Sequence, residues 1–309
     1  MTQRTDGIVP VMLTPMTDDN SIDWAGLERL VEWYIAQGAD TLFAVCQSSE
    51  MQHLTLAERT ELGRRTVELA AGRVGVIGSG HISDARDDQR EELMAMADCG
   101  FDALVLVTNH LDPSHAGAAA LRQGVTDVLG WVPGDLPLGL YECPAPFRRL
   151  LSDDEFAFCR DTGRFVTLKD VSCDLPTVAR RVKLAEGSDL SVVNANAAIA
   201  AAAMRAGSAG FAGVFTNFHP DLYAWLYRNR DLDSPLRQRL ETFLALAAMA
   251  EPMGYPGLAK LYHQRLGTFA SAHSRVIDYD LDDRHWGVLP LLDHIMRGTE
   301  TFRAEIAAG

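Results

Sequence analysis

Lysine is scarce in this chain: 309 residues contain three lysines, Lys169, Lys183 and Lys260, against 25 arginines. One of the three closes an apolar run. The segment Phe165-Val166-Thr167-Leu168-Lys169-Asp170 reads as a short buried β-strand that ends in an amine. An amine adds to a carbonyl carbon to give a Schiff base, which a guanidinium does not. Apolar strand neighbours desolvate it and lower its pKa toward the free base. Tyr141 ends a second apolar run 28 residues earlier, and a tyrosine hydroxyl there can move protons as a carbinolamine forms and collapses. Taken singly, each has a plainer role, as a strand-end lysine with its head in water or a space-filling ring. The pairing of the two favours chemistry.

Such a pair needs adjacent strands. The strand candidates are 7–13, 41–46, 74–78, 103–107, 138–141, 165–169, 190–193 and 212–215, all nearly continuous apolar runs, the pattern of parallel strands buried on both faces. Helical patterns fall between them, at 23–37, 55–71, 83–98, 116–129, 153–160, 175–186, 197–205 and 220–227. Leu27, Leu30, Val31, Tyr34 and Ile35 draw one apolar helix face. Ser83, Ser152 and Asp174 stand where N-caps belong, and Gly38, Gly100, Gly163 and Gly207 where helices end. Eight strand–helix units predict an α/β fold of the (β/α)8 TIM-barrel type. The barrel, carrying the active site, is expected over 1–230. A helical extension packed on it is expected over 231–309, with helices at 234–253, 256–266 and 285–307.

Composition narrows the function. A net charge of −14 and a pI near 5.0 argue against nucleic-acid or anionic-membrane partners. A hydrophobic fraction of 47% suits a large core. Five scattered cysteines without a CxxC pair fit reduced thiols. Neither a signal peptide nor a spanning run is evident, so a soluble cytoplasmic protein is expected.

In a TIM barrel the chemistry gathers at the C-terminal strand ends. Those ends are Cys46-Gln47-Ser48-Ser49-Glu50, Gly78-Ser79-Gly80-His81, Thr108-Asn109-His110, Tyr141-Glu142, Lys169-Asp170, Asn194 and Thr216-Asn217. Here the chain resembles the dihydrodipicolinate synthase / N-acetylneuraminate lyase family of pyruvate-dependent class I aldolases. The resemblance spans roughly 7–220. It rests on Val9-Pro10-Val11-Met12-Leu13-Thr14-Pro15, Glu50 with Leu54-Thr55, Tyr141-Glu142-Cys143-Pro144, the 28-residue interval to Lys169-Asp170, and Gly210 through Asn217-Phe218-His219-Pro220.

The resemblance implies that Lys169 forms a Schiff base with pyruvate or a related 2-oxo acid and that Tyr141 shuttles protons. It implies that Ser48, helped by backbone N–H groups of its loop, binds the acid's carboxylate. Gln47, Ser49, His110, Asn196 and Ala212 join Ser48 as expected substrate contacts. No cofactor and no metal are expected, and a homotetramer or homodimer is. The chain departs from the family at several points. Gln47 replaces a relay threonine, and Asn109-His110-Leu111 replaces a tyrosine pair whose second member enters a neighbouring subunit. Pro146 stands where synthases keep a carboxylate-binding arginine, with Arg148 and Arg149 close by, and the strand 7 motif reads Ala195-Asn196-Ala197. A different second substrate is therefore expected, and polar Gln47, Asn109, His110 and Asn196 suit a hydroxylated one. True 4-hydroxy-tetrahydrodipicolinate synthesis is the alternative. A metal-dependent barrel using His81, His110 and His219 ranks lower, because no His-x-His follows strand 1. A catalytically silent barrel also ranks lower. Gly78-Ser79-Gly80 lacks the third glycine of a dinucleotide loop.

Overall fold

The computed structural model describes residues 5–309. Eight parallel strands follow one another around a barrel. They are β1 (Gly7–Ile8), β2 (Thr41–Phe43), β3 (Gly75–Ser79), β4 (Ala103–Val107), β5 (Leu138–Tyr141), β6 (Phe165–Asp170), β7 (Ser191–Asn194) and β8 (Gly210–Phe211), hydrogen-bonded in the order β1-β8-β7-β6-β5-β4-β3-β2. The remaining seam is closed beyond β1. Phe43 N donates to Pro10 O at 2.9 Å and Met12 N to Phe43 O at 3.1 Å, while Val11 bridges Phe43. Pro10 has no N–H of its own, which limits regular pairing to a few residues there. The first strand is accordingly far shorter than the apolar run 7–13 predicts.

The last strand also differs from expectation. It lies at Gly210–Phe211, and Val214–Asn217 forms a 3-10 turn. Close backbone approach accounts for this, because Gly210 faces Gly7 and a Cβ on Gly210 would fall 1.7 Å from Gly7 O. The strand is fixed where two glycines meet. The apolar residues after it belong to the barrel mouth.

Helices cover the outside as expected, including Trp24–Ala36, Leu56–Ala70, Arg86–Ala97 and Leu175–Ala185. Ser152 and Asp174 cap their helices, accepting from Glu155 N and Thr177 N. Ser83 does not. The helix begins at Arg86, and Glu92 reaches back to accept from Ile82 N, Ser83 N and Ser83 Oγ, holding that entrance open. The carboxyl-terminal helices Pro235–Ala247, Gly257–Arg265 and Val288–Ala308 are tied to the barrel top: Tyr262 Oη donates to Phe218 O at 2.6 Å, and the Glu50 carboxylate pairs with the Lys260 ammonium, neither exposed.

The strongest brace lies behind the strand ends. Arg181, on the helix Leu175–Ala185 and 1% exposed, grips Glu142 with both terminal nitrogens, at 2.6 and 3.0 Å. It also pairs with Asp170 and donates to Leu151 O at 2.8 Å. Glu142 and Asp170 directly follow Tyr141 and Lys169, so one guanidinium ties together the ends of β5 and β6. Removing one partner of a fully buried ion pair leaves an uncompensated charge and commonly costs 3–5 kcal/mol. Arg181→Met should therefore lower stability by about 3–5 kcal/mol in a urea titration, with a fall in midpoint at unchanged slope.

Candidate active site

β5 and β6 pair in register with Tyr141 beside Lys169, so both side chains point to the same face of the sheet, inward. Beneath them Val9, Phe43, Ile77, Val105, Thr167 and Val193 fill the barrel and leave a void of only about 10 Å³. The site therefore has a tightly packed, largely apolar floor. Lys169 is 8% exposed, with Nζ 4.3 Å from the Tyr141 ring centre and 5.6 Å from that of Phe43. Burial pulls its pKa below that of an ordinary lysine, with the nearby Cys46, Cys143 and Glu251 opposing in weaker measure. A desolvated amine over aromatic faces, without a tight carboxylate partner, is poised as a nucleophile.

Above it opens a cavity of about 590 Å³. The Tyr141 hydroxyl lies 3.4 Å from Gln47 Oε1, which also receives the Cys143 thiol at 3.5 Å. Burial raises the Tyr141 pKa well above that of a free phenol, so it stays a neutral donor. Of the expected contacts, Gln47, Ser48, Asn196 and Ala212 line this cavity with Lys169 and Tyr141. Ser49 and His110 do not.

Both corrections have local causes. After Cys46 the chain winds into a 3-10 turn, Gln47–Ser49, ending at Glu50 in the left-handed region with φ 62°. Ser49 Oγ is held inside that turn, accepting from Cys46 N at 2.8 Å and donating to Cys46 O at 2.6 Å. The turn also uses the backbone N–H groups of Ser49 and Glu50 internally, which leaves Ser48 as its presented side chain. His110 sits on a short helical turn, Thr108–Leu111, that swings it away from the barrel axis toward Asp84, 2.8 Å from its Nδ1. Asn109 also turns outward, and its amide holds the loop after β5 by donating to Cys143, Ala145 and Phe147 carbonyls. His81 stacks edgewise on His110 with ring centres 5.7 Å apart, whereas His219 pairs with Thr299 elsewhere. Among the described residues no three His, Cys, Asp or Glu side chains gather as a ligand set.

Eight lining residues lie outside the expected 1–230 unit, and two of them, Glu251 and Tyr255, bring polar groups into the cavity from the carboxyl-terminal segment. The Tyr255 hydroxyl accepts from Asn217 Nδ2 at 2.9 Å, and it lines the same cavity as Ser48. A signal for Glu251 exists in the sequence, since it breaks the apolar run Phe243–Ala250 with a lone acid. Tyr255 carries no such mark.

A family model described as the dihydrodipicolinate synthetase family matches residues 4–240. The chain belongs to that family. It is 28% identical over 291 residues to a 4-hydroxy-tetrahydrodipicolinate synthase of Shewanella frigidimarina, covering 92% of this chain and 95% of the relative. Its fold matches a dihydrodipicolinate synthase of Acinetobacter baumannii, solved with pyruvate, at TM-score 0.82 and 22% identity, covering 96% of this chain and 99% of that one. It matches CdNal of Clostridium difficile, solved with mannosamine, at TM-score 0.83 and 16% identity, covering 96% and 100%. Members of this family are enzymes of the class I aldolase type.

The depressed Lys169 pKa fixes a direction for its reactivity. An amine is nucleophilic only when unprotonated, so a lowered pKa extends reactivity downward in pH. Carbamoylation of Lys169 by cyanate, followed by peptide mass mapping, should show a midpoint below the ordinary lysine value of 10.5. A midpoint at or above that value would contradict the desolvated environment.

Proposed function

We propose that this protein is a class I aldolase or lyase that forms a Schiff base between Lys169 and pyruvate or a related small 2-oxo acid, with no cofactor. The observation that carries this reading is the desolvated Lys169 amine, in register with Tyr141 above a tightly packed apolar floor. The amine adds to C2 of the acid, and Tyr141 supplies the proton with which water departs from the carbinolamine. The resulting iminium draws electrons from C3, so that the bond to a proton or to a second carbon at C3 becomes labile. Ser48, projected by its turn, is the hydroxyl for the acid's carboxylate, with Gln47, Asn196 and Ala212 shaping the rest.

The proton relay differs from the one the resemblance implies. Gln47 offers an amide oxygen, which accepts from Tyr141 but passes nothing on. Tyr255, which lines the cavity with Ser48 and reaches it from the same chain, is the second hydroxyl in our reading.

Two features disfavour lysine-pathway synthesis. Among the described residues no arginine lines the cavity, and Arg149 is locked to Asp112 at 2.9 Å and to Glu155 at 2.5 Å. Arg148 donates to Val171 O on the exposed side. The acidic charge and unpaired cysteines support a cytoplasmic location. Leu246, Met249 and Trp286, 68%, 70% and 89% exposed, support self-association as a homodimer or homotetramer.

Borohydride reduction in the presence of pyruvate should fix one three-carbon adduct on Lys169, detected by mass, and Lys169→Ala should abolish it. Label persisting elsewhere in that variant would refute the assignment. Tyr141→Phe should fold normally and slow adduct formation by about 10²–10⁴-fold. Sedimentation at micromolar concentration should give a dimer or tetramer, and a monomer would overturn self-association.

A further inference from the structure

We infer that the second substrate of this site is an uncharged, largely hydrocarbon aldehyde, held in the apolar outer part of the cavity. The inference rests on the Schiff-base reading and deepens it.

Outward from Lys169 the wall is carbon. Val171, Ala198, Val214, Ala245, Ala248 and Met249 all face the cavity. Met249 carries the apolar lining out to the mouth, where it is 70% exposed. Asn109 and His110, the groups expected to make this region polar, point elsewhere. The amide oxygens that line it are engaged: Gln47 Oε1 accepts from Tyr141 and Cys143, and Asn196 Oδ1 accepts from Ala198 N at 3.0 Å. A polyhydroxylated partner would meet carbon over most of this wall.

A second carboxylate would fare worse. Among the described residues Lys169 is the only lysine in the wall, no arginine joins it, and Glu251 adds a carboxyl of its own. A site without a cation opposite a carboxylate, and with an acid beside it, rejects that group strongly.

The single aldehyde oxygen has polar groups within the lining to meet, Gln52 and Glu251 among them. Gln52 Nε2 is buried without a partner, and Glu251 is engaged only by the charge of Lys169, burial raising its pKa above the ordinary carboxylate value. The chemistry then balances. The Lys169 amine and pyruvate C2 form the iminium with loss of water, and a C3 proton passes to the Glu251 carboxylate to give the enamine. C3 bonds to the aldehyde carbon while the carbonyl π pair moves to oxygen, which takes that proton back from Glu251. Water adds back at C2 and releases a 4-hydroxy-2-oxo acid and the free amine. Glu251 ends the cycle as the carboxylate that began it.

The test combines pyruvate with benzaldehyde, hexanal, glyceraldehyde and succinic semialdehyde at equal concentrations, and the 4-hydroxy-2-oxo acids are quantified by mass. Cleavage of the four authentic products is measured in parallel. Benzaldehyde or hexanal should exceed the other two by about 10²-fold in kcat/KM, the scale on which a site rejects a group it leaves unpaired. Borohydride trapping of pyruvate is scored on the same preparation. Trapping with glyceraldehyde or succinic semialdehyde preferred, or with none of the four reacting in either direction, overturns the aldehyde inference alone. Failure to trap overturns the Schiff-base reading and this inference with it.

Discussion

One guanidinium holds the geometry on which the site depends. Arg181 is buried against Glu142 and Asp170, and those acids are the covalent neighbours of Tyr141 and Lys169. Their carboxylates also fasten the loops that leave the two strands: Glu142 accepts from Leu151 N at 2.8 Å and Val171 N at 3.1 Å, and Asp170 accepts from Ser172 N at 2.9 Å. An ion triad in the interior is costly to assemble and contributes little net stability by itself. What it contributes here is position. The lysine and tyrosine cannot shift past one another while their neighbours share one rigid planar fork.

That fixed pair explains why the rest of the barrel is built as it is. An amine becomes a nucleophile only if it loses its hydration, and the plug of Phe43, Ile77, Val105 and Val193 below it accomplishes this. The opposite face of the site is supplied by chain that comes after the barrel strands. Glu50, at the end of the 3-10 turn, is tied to Lys260, Ser274 and Arg275. The same turn presents Ser48 to the cavity that Tyr255 also lines. The carboxyl-terminal helices thus hold the turn in place and complete the cavity wall.

Much of this was legible in the sequence, and the parts that were not share a cause. Strands β4 and β5 fall where their apolar runs lie, and Lys169 and Tyr141 are marked by residue type against a uniform background. Periodicity says nothing of what a chain does after a strand ends. Ser49 and His110 sit next to cavity-lining or strand-end residues, yet a 3-10 turn and a helical turn rotate them away. Proximity in sequence was therefore a poor guide at those two positions. Tyr255 was invisible for the opposite reason, since it reaches the site through tertiary packing of a segment with no strand to announce it. The placement of β8 depended on two glycines meeting where it pairs with β1, a relation between positions 203 residues apart.

The scarcity of lysine has a consequence for the whole molecular surface. Aldehydes and 2-oxo acids modify proteins indiscriminately by condensing with any accessible primary amine on a side chain. Lys260 is sealed within its ion pair, Lys169 lies at the bottom of its cavity, and only Lys183 stands in open solvent among the lysine side chains. Arginine carries nearly all the remaining positive charge and forms no such imines. The protein therefore presents carbonyl compounds with an exterior that offers very few side-chain amines, so imine adducts formed during exposure to such compounds are confined to very few places.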